Sequence, residues 1–527
     1  MITPIIDTKS NVPIYTQIYK YIRKEIESKR LTPGERLPST RALAAHLEVS
    51  RNTIDMAYGQ LIDEGYIESA PKRGYFVCNI SANIMTIPEE THLTTIPQKR
   101  SKYDFDFSPY GVDLEKFPYS TWRKTMRDIL YDDRNMSLFL SGDHQGDLEF
   151  RKAIADYLYQ NRGLLCEPDQ IVVGAGVDYL LMLLSQLLGK NTVYAIEDPS
   201  YMRAYRILTH LGCEVLPIPL DKRGMDIKKL TSSKANIAYI TPSHQFPTGI
   251  VMPIRRRQEI LAWANEKPNR FIIEDDYDSE FRYRGRPIPS LASIDKGQNV
   301  IYLGTFSKAI APSIRISYMV LPTDLLEIYK HEYGFYSNSV PRIEQKQMTE
   351  FIRKGYFERH LNRMRILYRT KRDYILTALE PYDDRIKIYG ENSGLHILVK
   401  FLDGREEQEL IETAAQNGIH LYAPSDYTIQ PKHIKHMKST IILGYASISQ
   451  KQLEPAMERL TRCFFKDMHT REKPDASENQ KKQAMPVGLQ KQATPTGQTK
   501  QTANADQKKQ TTSASQQKQI VPASLKK

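Results

Sequence analysis

The 527-residue sequence predicts two folded bodies in series, a small N-terminal α+β module and a larger α/β domain, followed by a tail that builds no core. Three observations carry this. Within residues 1–78 a helical period gives way to a hairpin pattern. From 105 to 465 strand-like runs alternate with helical ones, the signature of a largely parallel sheet. From Glu472 onward there is no Phe, Tyr or Trp.

In the first body, Ile14, Ile18, Ile22 and Ile26 recur every four residues, which predicts a helix with one buried stripe. Pro38-Ser39 opens a second helix, with Ser39 as N-cap and Leu43, Ala44 and Leu47 on one face. Val49-Ser50 turns the chain, and Ser50 caps a third helix carrying Ile54, Ala57, Tyr58 and Leu61 that ends at Gly65. Tyr66-Ile67-Glu68 and Tyr75-Phe76-Val77 read as strands around Pro71-Lys72-Arg73-Gly74. Residues 79–104 lack periodicity and contain Pro88 and Pro97, so they are expected to form a linker.

In the second body the strand-like runs include 171–173, 192–196, 237–240, 271–273 and 300–303. A large subdomain is expected over 105–344 and a smaller α+β subdomain over 345–465. The apolar run from Ile171 to Leu188 contains Gly174, Gly176 and Asp178, which fits a buried strand–turn–helix rather than a membrane span. Residues 466–527, rich in Gln, Lys and Thr, cannot bury enough apolar surface to offset chain entropy and are expected to be disordered.

The net charge is +12, but residues 472–527 supply +6 and the first 78 residues only +2. Basicity alone is therefore a weak argument for nucleic acid. Cys78, Cys166, Cys213 and Cys463 form no Cys-x-x-Cys pair, so neither a disulfide framework nor a metal site is indicated. The N-terminal residues lack a basic stretch followed by an apolar core, so a cytoplasmic protein without membrane contact is expected.

Two short helices joined by a tight turn and followed by a wing make a winged helix-turn-helix. The run Leu37-Pro38-Ser39-Thr40-Arg41, then Val49-Ser50-Arg51-Asn52-Thr53, and later Arg73-Gly74-Tyr75-Phe76-Val77 resembles the GntR family of regulators. The resemblance implies Ser39, Arg41, Arg51, Asn52 and Thr53 near double-stranded promoter DNA. Helix N-termini offer free amides to phosphates, an arginine opening a recognition helix can reach a guanine edge, and Arg73-Gly74 forms the tip of the wing.

Gly304-Thr305-Phe306-Ser307-Lys308 sets one lysine among small hydroxyl residues, with Arg315 beyond and the acidic run Glu274-Asp275-Asp276-Tyr277-Asp278 before it. A lysine that condenses with a phosphorylated aldehyde on a pyridine ring needs hydroxyls and a cation for the phosphate, and a carboxylate for the ring nitrogen. These are the requirements of pyridoxal 5′-phosphate. Thr241-Pro242-Ser243-His244-Gln245-Phe246-Pro247-Thr248-Gly249, Glu197-Asp198-Pro199-Ser200-Tyr201 and Gly174-Ala175-Gly176 are similar to segments of fold-type I aminotransferases. Head and body together resemble the MocR-type regulators over residues 12–465. The resemblance implies a Schiff base on Lys308, Asp275 on the ring nitrogen, Tyr277 on the ring oxygen and Tyr201 stacked on the ring. It implies Ala175, Gly176, Thr305, Ser307 and Arg315 around the phosphate, and Arg203 near the carboxylate of an incoming amino acid.

Two departures from the aminotransferase pattern stand out. Phe246 occupies the position before Pro-Thr-Gly where those enzymes usually carry Asn, as MocR-type regulators often do. The segment 440–446 has no arginine for a substrate carboxylate, and only Lys432, Lys435 and Lys438 lie upstream. The expected function is a homodimeric transcriptional regulator that senses a small amine or amino acid. A working aminotransferase with an autoregulatory head is the alternative, told apart by repeated turnover. A DNA-compacting protein is a third reading, told apart by dependence on the tail.

Overall fold

The computed structural model describes residues 3, 4, 6, 7, 10, 12–80, 103–285 and 288–465, apart from the side chain of residue 436. The chain divides into two compact units, Met1–Arg100 and Ser101–Lys527. The linker expected at 79–104 falls mostly outside the described residues, and the tail expected at 466–527 falls wholly outside them.

In the first unit, α1 (Ile14–Glu27) buries Ile18, Ile22 and Ile26, the stripe that the four-residue spacing demands. α2 (Thr40–Leu47) begins behind Ser39, whose hydroxyl accepts from the Ala42 amide at 3.2 Å. α3 (Arg51–Asp63) begins behind Ser50, whose hydroxyl accepts from the Thr53 amide at 3.1 Å. β1 (Arg36–Leu37), β2 (Ile67–Ala70) and β3 (Gly74–Val77) form an antiparallel sheet in the order β1-β3-β2. β2 and β3 are the expected hairpin. β1 is a finding of the structure, because two residues carry no readable alternation. Leu37, Leu43, Ile54, Tyr58, Leu61 and Val77 share one core with α1. The Tyr58 hydroxyl donates to the Pro38 carbonyl at 3.0 Å, fixing α3 against the start of α2.

The second unit opens with β4 (Phe105–Asp106), followed by α4 (Tyr119–Leu130) and α5 (Leu148–Arg162). Its main sheet contains β5 (Ile171–Gly174), β6 (Val193–Asp198), β7 (Glu214–Asp221), β8 (Gly224–Met225), β9 (Ile237–Ile240), β10 (Phe271–Asp276), β11 (Val300–Thr305) and β12 (Ser317–Val320). The strand order is β5-β12-β11-β10-β9-β6-β7-β8. The run from β11 to β7 is parallel, while β12 lies antiparallel to both β11 and β5. β7 contains Pro217 and Pro219, which read as strand breakers, yet its outer side is paired only at Leu220 and Asp221. A strand this close to the sheet edge tolerates missing amide donors.

α6 (Val177–Leu187) follows β5 through the turn at Ala175-Gly176, so the apolar stretch 171–188 is the expected strand–turn–helix. α7 (Met202–His210) follows β6. Among the described residues no helix is long and apolar enough to cross a membrane. A second sheet is built from β13 (Ile386–Tyr389), β14 (His396–Phe401) and β16 (Thr440–Gly444), antiparallel in the order β13-β14-β16. β15 (Ile419–His420) pairs in parallel with β4. The first strand of this unit is therefore joined to its C-terminal part rather than to the main sheet. Burial of Phe105 and Phe107 beside Ile419 and Leu421 holds it there.

Candidate functional site

The carboxyl ends of β6, β9, β10 and β11 converge on a cavity of about 210 Å³. Crevices at this end of a parallel sheet are where such folds place ligands. Its walls include Tyr110, Asp178, Tyr201, Arg203, Asp275 and Tyr277, together with Thr305, Ser307, Lys308 and Arg315.

Lys308 lies in the turn after β11, and its Nζ donates to the carbonyls of Pro109 at 3.2 Å and Tyr110 at 2.8 Å. Burial lowers its pKa to about 8, with the Asp278 charge opposing the shift. Asp275, near the end of β10, accepts from the Tyr239 hydroxyl through Oδ2, while its buried Oδ1 has no partner. Burial raises its pKa to about 7, and Asp276, Asp278 and Asp178 add to the rise. Arg162 steadies the end of this strand through Asp276, 2.7 Å away.

The phosphate-binding set expected from sequence gathers at the start of α6. Gly176 caps that helix at φ +100°, a backbone conformation that favours glycine, and a Cβ there would lie 2.4 Å from the Arg315 guanidinium and push it aside. The amides of Ala175 and Gly176 are engaged by Ser339 Oγ and the Gly174 carbonyl. The helix amides without an intrahelical acceptor belong instead to the first turn, beginning at Val177 and Asp178. Thr305 Oγ1 accepts from the Ser307 amide at 3.2 Å and the Ser317 hydroxyl at 2.9 Å. Ser307 Oγ is buried with no partner.

Arg203 and Arg315 both pair with Asp178 Oδ2, at 3.2 and 3.1 Å. The Arg203 guanidinium also lies 5.9 Å from the Tyr201 ring centroid. Lys432, Lys435 and Lys438 are exposed and do not line the cavity. The sequence reading missed Tyr110, Asp178, Thr241 and Tyr239. Tyr110 comes from the segment after β4 and stacks at 5.6 Å on Phe246, a contact that nothing in its local sequence announces. His244 gains partners that sequence could not supply: Asp278 Oδ2 at 2.9 Å and the Tyr277 hydroxyl at 3.0 Å.

In the first unit, Arg41, Arg51, Asn52 and Arg73 are exposed, as is the Ser39 cap. Arg51 pairs with Asp55 at 3.4 Å, and the Thr53 hydroxyl lies 2.8 Å from that of Ser50. Arg73 lies 5.5 Å from the Phe76 ring centroid at the hairpin turn, beside Gly74.

Residues 14–77 match the model of bacterial regulatory proteins of the gntR family, and 104–460 match that of aminotransferase class I and II. The HTH-type transcriptional regulator YdeL of Bacillus subtilis (strain 168) is 40% identical over 87% of this chain and 98% of its own length. The probable rhizopine catabolism regulatory protein MocR of Rhizobium meliloti is 31% identical over 88% of this chain and 96% of its own. The crystal structure of an archaeal alanine:glyoxylate aminotransferase superposes with a TM-score of 0.62 at 23% identity, covering 69% of this chain and 91% of that one.

The aminotransferase fold implies pyridoxal 5′-phosphate, and the gntR module implies DNA. The cavity fits the cofactor. A lysine amine near neutrality, an unpartnered buried carboxylate oxygen, an unpartnered hydroxyl and a glycine-capped helix start face one space of suitable size. With the gntR module, the aminotransferase body and full-length likeness to such regulators together, this chain belongs to the MocR-type family of HTH-type transcriptional regulators.

Proposed function

We propose that this regulator binds promoter DNA as a homodimer through its N-terminal units and reads a small primary amine or amino acid at Lys308. The observation that carries this reading is the convergence of the Lys308 amine, the unpartnered Asp275 Oδ1 and the unpartnered Ser307 Oγ on one cavity. When bound, pyridoxal 5′-phosphate supplies an aldehyde that condenses reversibly with amines and a ring that withdraws electrons.

Lys308 would hold that aldehyde, whose carbon would also be open to a competing amine. Asp275 keeps a proton on the ring nitrogen, and Tyr239 holds the Asp275 carboxylate in register. Tyr277 donates toward the ring oxygen and Tyr201 covers the ring face. Ser307, Thr305, Arg315 and the first-turn amides of α6 at Val177 and Asp178, beyond the Ala175-Gly176 turn, hold the phosphate. Arg203 takes the effector carboxylate, exchanging Asp178 for it. On the DNA side, the Ser39 and Ser50 helix starts and Thr53 meet phosphates. Arg41, Arg51 and Asn52 reach bases, and the Arg73-Gly74 wing lies along the adjacent groove. An effector acts only by binding one arrangement of the body more tightly than the other.

Full-length protein incubated with pyridoxal 5′-phosphate should become yellow, and borohydride should fix the cofactor on the 304–315 peptide. Lys308→Ala should do neither. Gel shifts on the DNA upstream of the coding sequence, with and without candidate amines, test the regulatory half. Colourless protein with nothing trapped sinks the reading. Sustained conversion of an amino donor and a keto acceptor would make the body an enzyme.

A further inference from the structure

His244 is 2% exposed and sits on the turn between β9 and the helix Ile254–Asn265. Its Nδ1 faces two groups at once, Asp278 Oδ2 at 2.9 Å and the Tyr277 hydroxyl at 3.0 Å. Its Nε2 is buried and has no partner. The ring is seated by Gly394, whose φ is +79°; a Cβ there would come within 1.9 Å of His244 Cε1. His396 packs against the other side at 5.2 Å between ring centroids, and burial holds its pKa at about 3, so it contributes no charge.

We propose that His244 is a positioning residue, fixed by Asp278 so that the Tyr277 phenol is a hydrogen-bond donor into the cavity. This rests on the cofactor reading above and deepens it. An ionised carboxylate only accepts, so Asp278 at 2.9 Å requires the hydrogen on Nδ1 rather than Nε2. Nδ1 then has no lone pair to offer the phenol. The tyrosine oxygen faces an N–H, and its own hydrogen is left to point elsewhere. The Asp278 carboxylate also lies within hydrogen-bonding reach of the phenol, and Tyr277 lines the cavity, so an anionic ring oxygen placed there competes with Asp278 for that hydrogen. The phenol stays protonated because burial pushes its pKa well above the ordinary value, reinforced by the Asp278 and Asp275 charges, by a hydrogen bond to Asp278 and by the Glu197 charge. The neighbouring Phe246, 6.0 Å away between ring centroids, offers no hydrogen bond. The task of holding an anionic ring oxygen on this wall falls to Tyr277, and its direction is set by the Asp278–His244 pair.

The titratable groups around His244 and Tyr277 are Asp278, His396, Asp275, Lys308 and Glu197. A donor on the ring oxygen stabilises its anion and lowers the proton affinity of the bound cofactor. Loss of the donor raises it.

The test is a pH titration of the visible absorption of full-length protein loaded with pyridoxal 5′-phosphate. Tyr277→Phe, His244→Leu and His244→Phe should each raise the midpoint, by about one pH unit or tenfold in proton affinity. His244→Asn, which keeps a donor near the place of Nδ1, should lie close to wild type. The double variant His244→Leu/Tyr277→Phe should shift no further than Tyr277→Phe. If His244→Leu does not fold, His244→Phe carries the same test. Wild-type midpoints in both the His244→Leu and His244→Phe proteins, with Tyr277→Phe shifted, would overturn the inference while leaving the cofactor reading intact. A His244→Asn variant as shifted as His244→Leu would also overturn it. Wild-type protein that takes up no cofactor sinks both.

Discussion

Lys308 and Asp275 are perturbed in opposite senses, and the two shifts have separate consequences. Lys308 titrates at about 8 rather than at the ordinary lysine value because its amine is withdrawn from water. Only the free base attacks an aldehyde. The rate of pyridoxal 5′-phosphate uptake, followed by stopped-flow absorbance, should therefore rise about tenfold per pH unit below about 8 and level off above it. A flat profile would contradict this. Folded Asp275 holds its proton up to about 7, whereas the unfolded side chain loses it in the ordinary aspartate range. The cost of its burial is thus absent in acid and grows as pH rises toward 7. In cofactor-free protein at about pH 8, Asp275→Asn should raise the melting temperature. The same change should weaken cofactor binding by about tenfold or more, since a charge-assisted hydrogen bond is lost. Equilibrium binding and thermal melts check the two halves separately.

Elements decide where those side chains sit. Ser50 is legible as an N-cap because the residues after it resume a helical period, and it caps α3 through the Thr53 amide. Ser50→Ala should cost the N-terminal unit about 1 kcal/mol in denaturant unfolding and, on the proposed placement of this helix start against phosphate, weaken DNA binding. Gly176 is legible as a turn residue, but its contact with Arg315 is not, since 139 positions separate them and only the β5–β12 pairing brings them together. Gly176→Ala would force the guanidinium aside, so cofactor affinity should fall by about tenfold or more with little change in helix content by circular dichroism. The strands that escaped the sequence reading share a cause. β1 and β8 are two residues long, β7 carries two prolines, and β12 follows the Lys308 turn too closely to show its own boundaries. Each is defined by its partners more than by its own pattern.

At the scale of the whole molecule, the stretch 130–140 leaves a large apolar surface uncovered. Tyr131 is 82% exposed, Phe139 70%, Leu140 69% and Met136 68%. A surface of this kind fits a second copy of the chain better than water. For the proposed homodimer, the paired change Tyr131→Lys/Phe139→Lys should shift the protein toward monomer in sedimentation velocity and weaken DNA binding. Removal of residues 466–527 should leave specific gel shifts in place, because the bases are read by the folded N-terminal unit; loss of binding would favour the compaction reading.

Periodicity and turn chemistry, which act between near neighbours, determined from sequence alone the N-terminal helices and hairpin, the alternating α/β body and the lysine with its hydroxyl company. Tertiary structure alone decided that Asp178 would hold two arginines, that Tyr239 would brace Asp275, and that His244 would stand between Asp278 and Tyr277. Those contacts join residues on different strands, helices and the turns that follow them, and their distances are set by sheet order and packing, quantities that no local stretch of sequence contains.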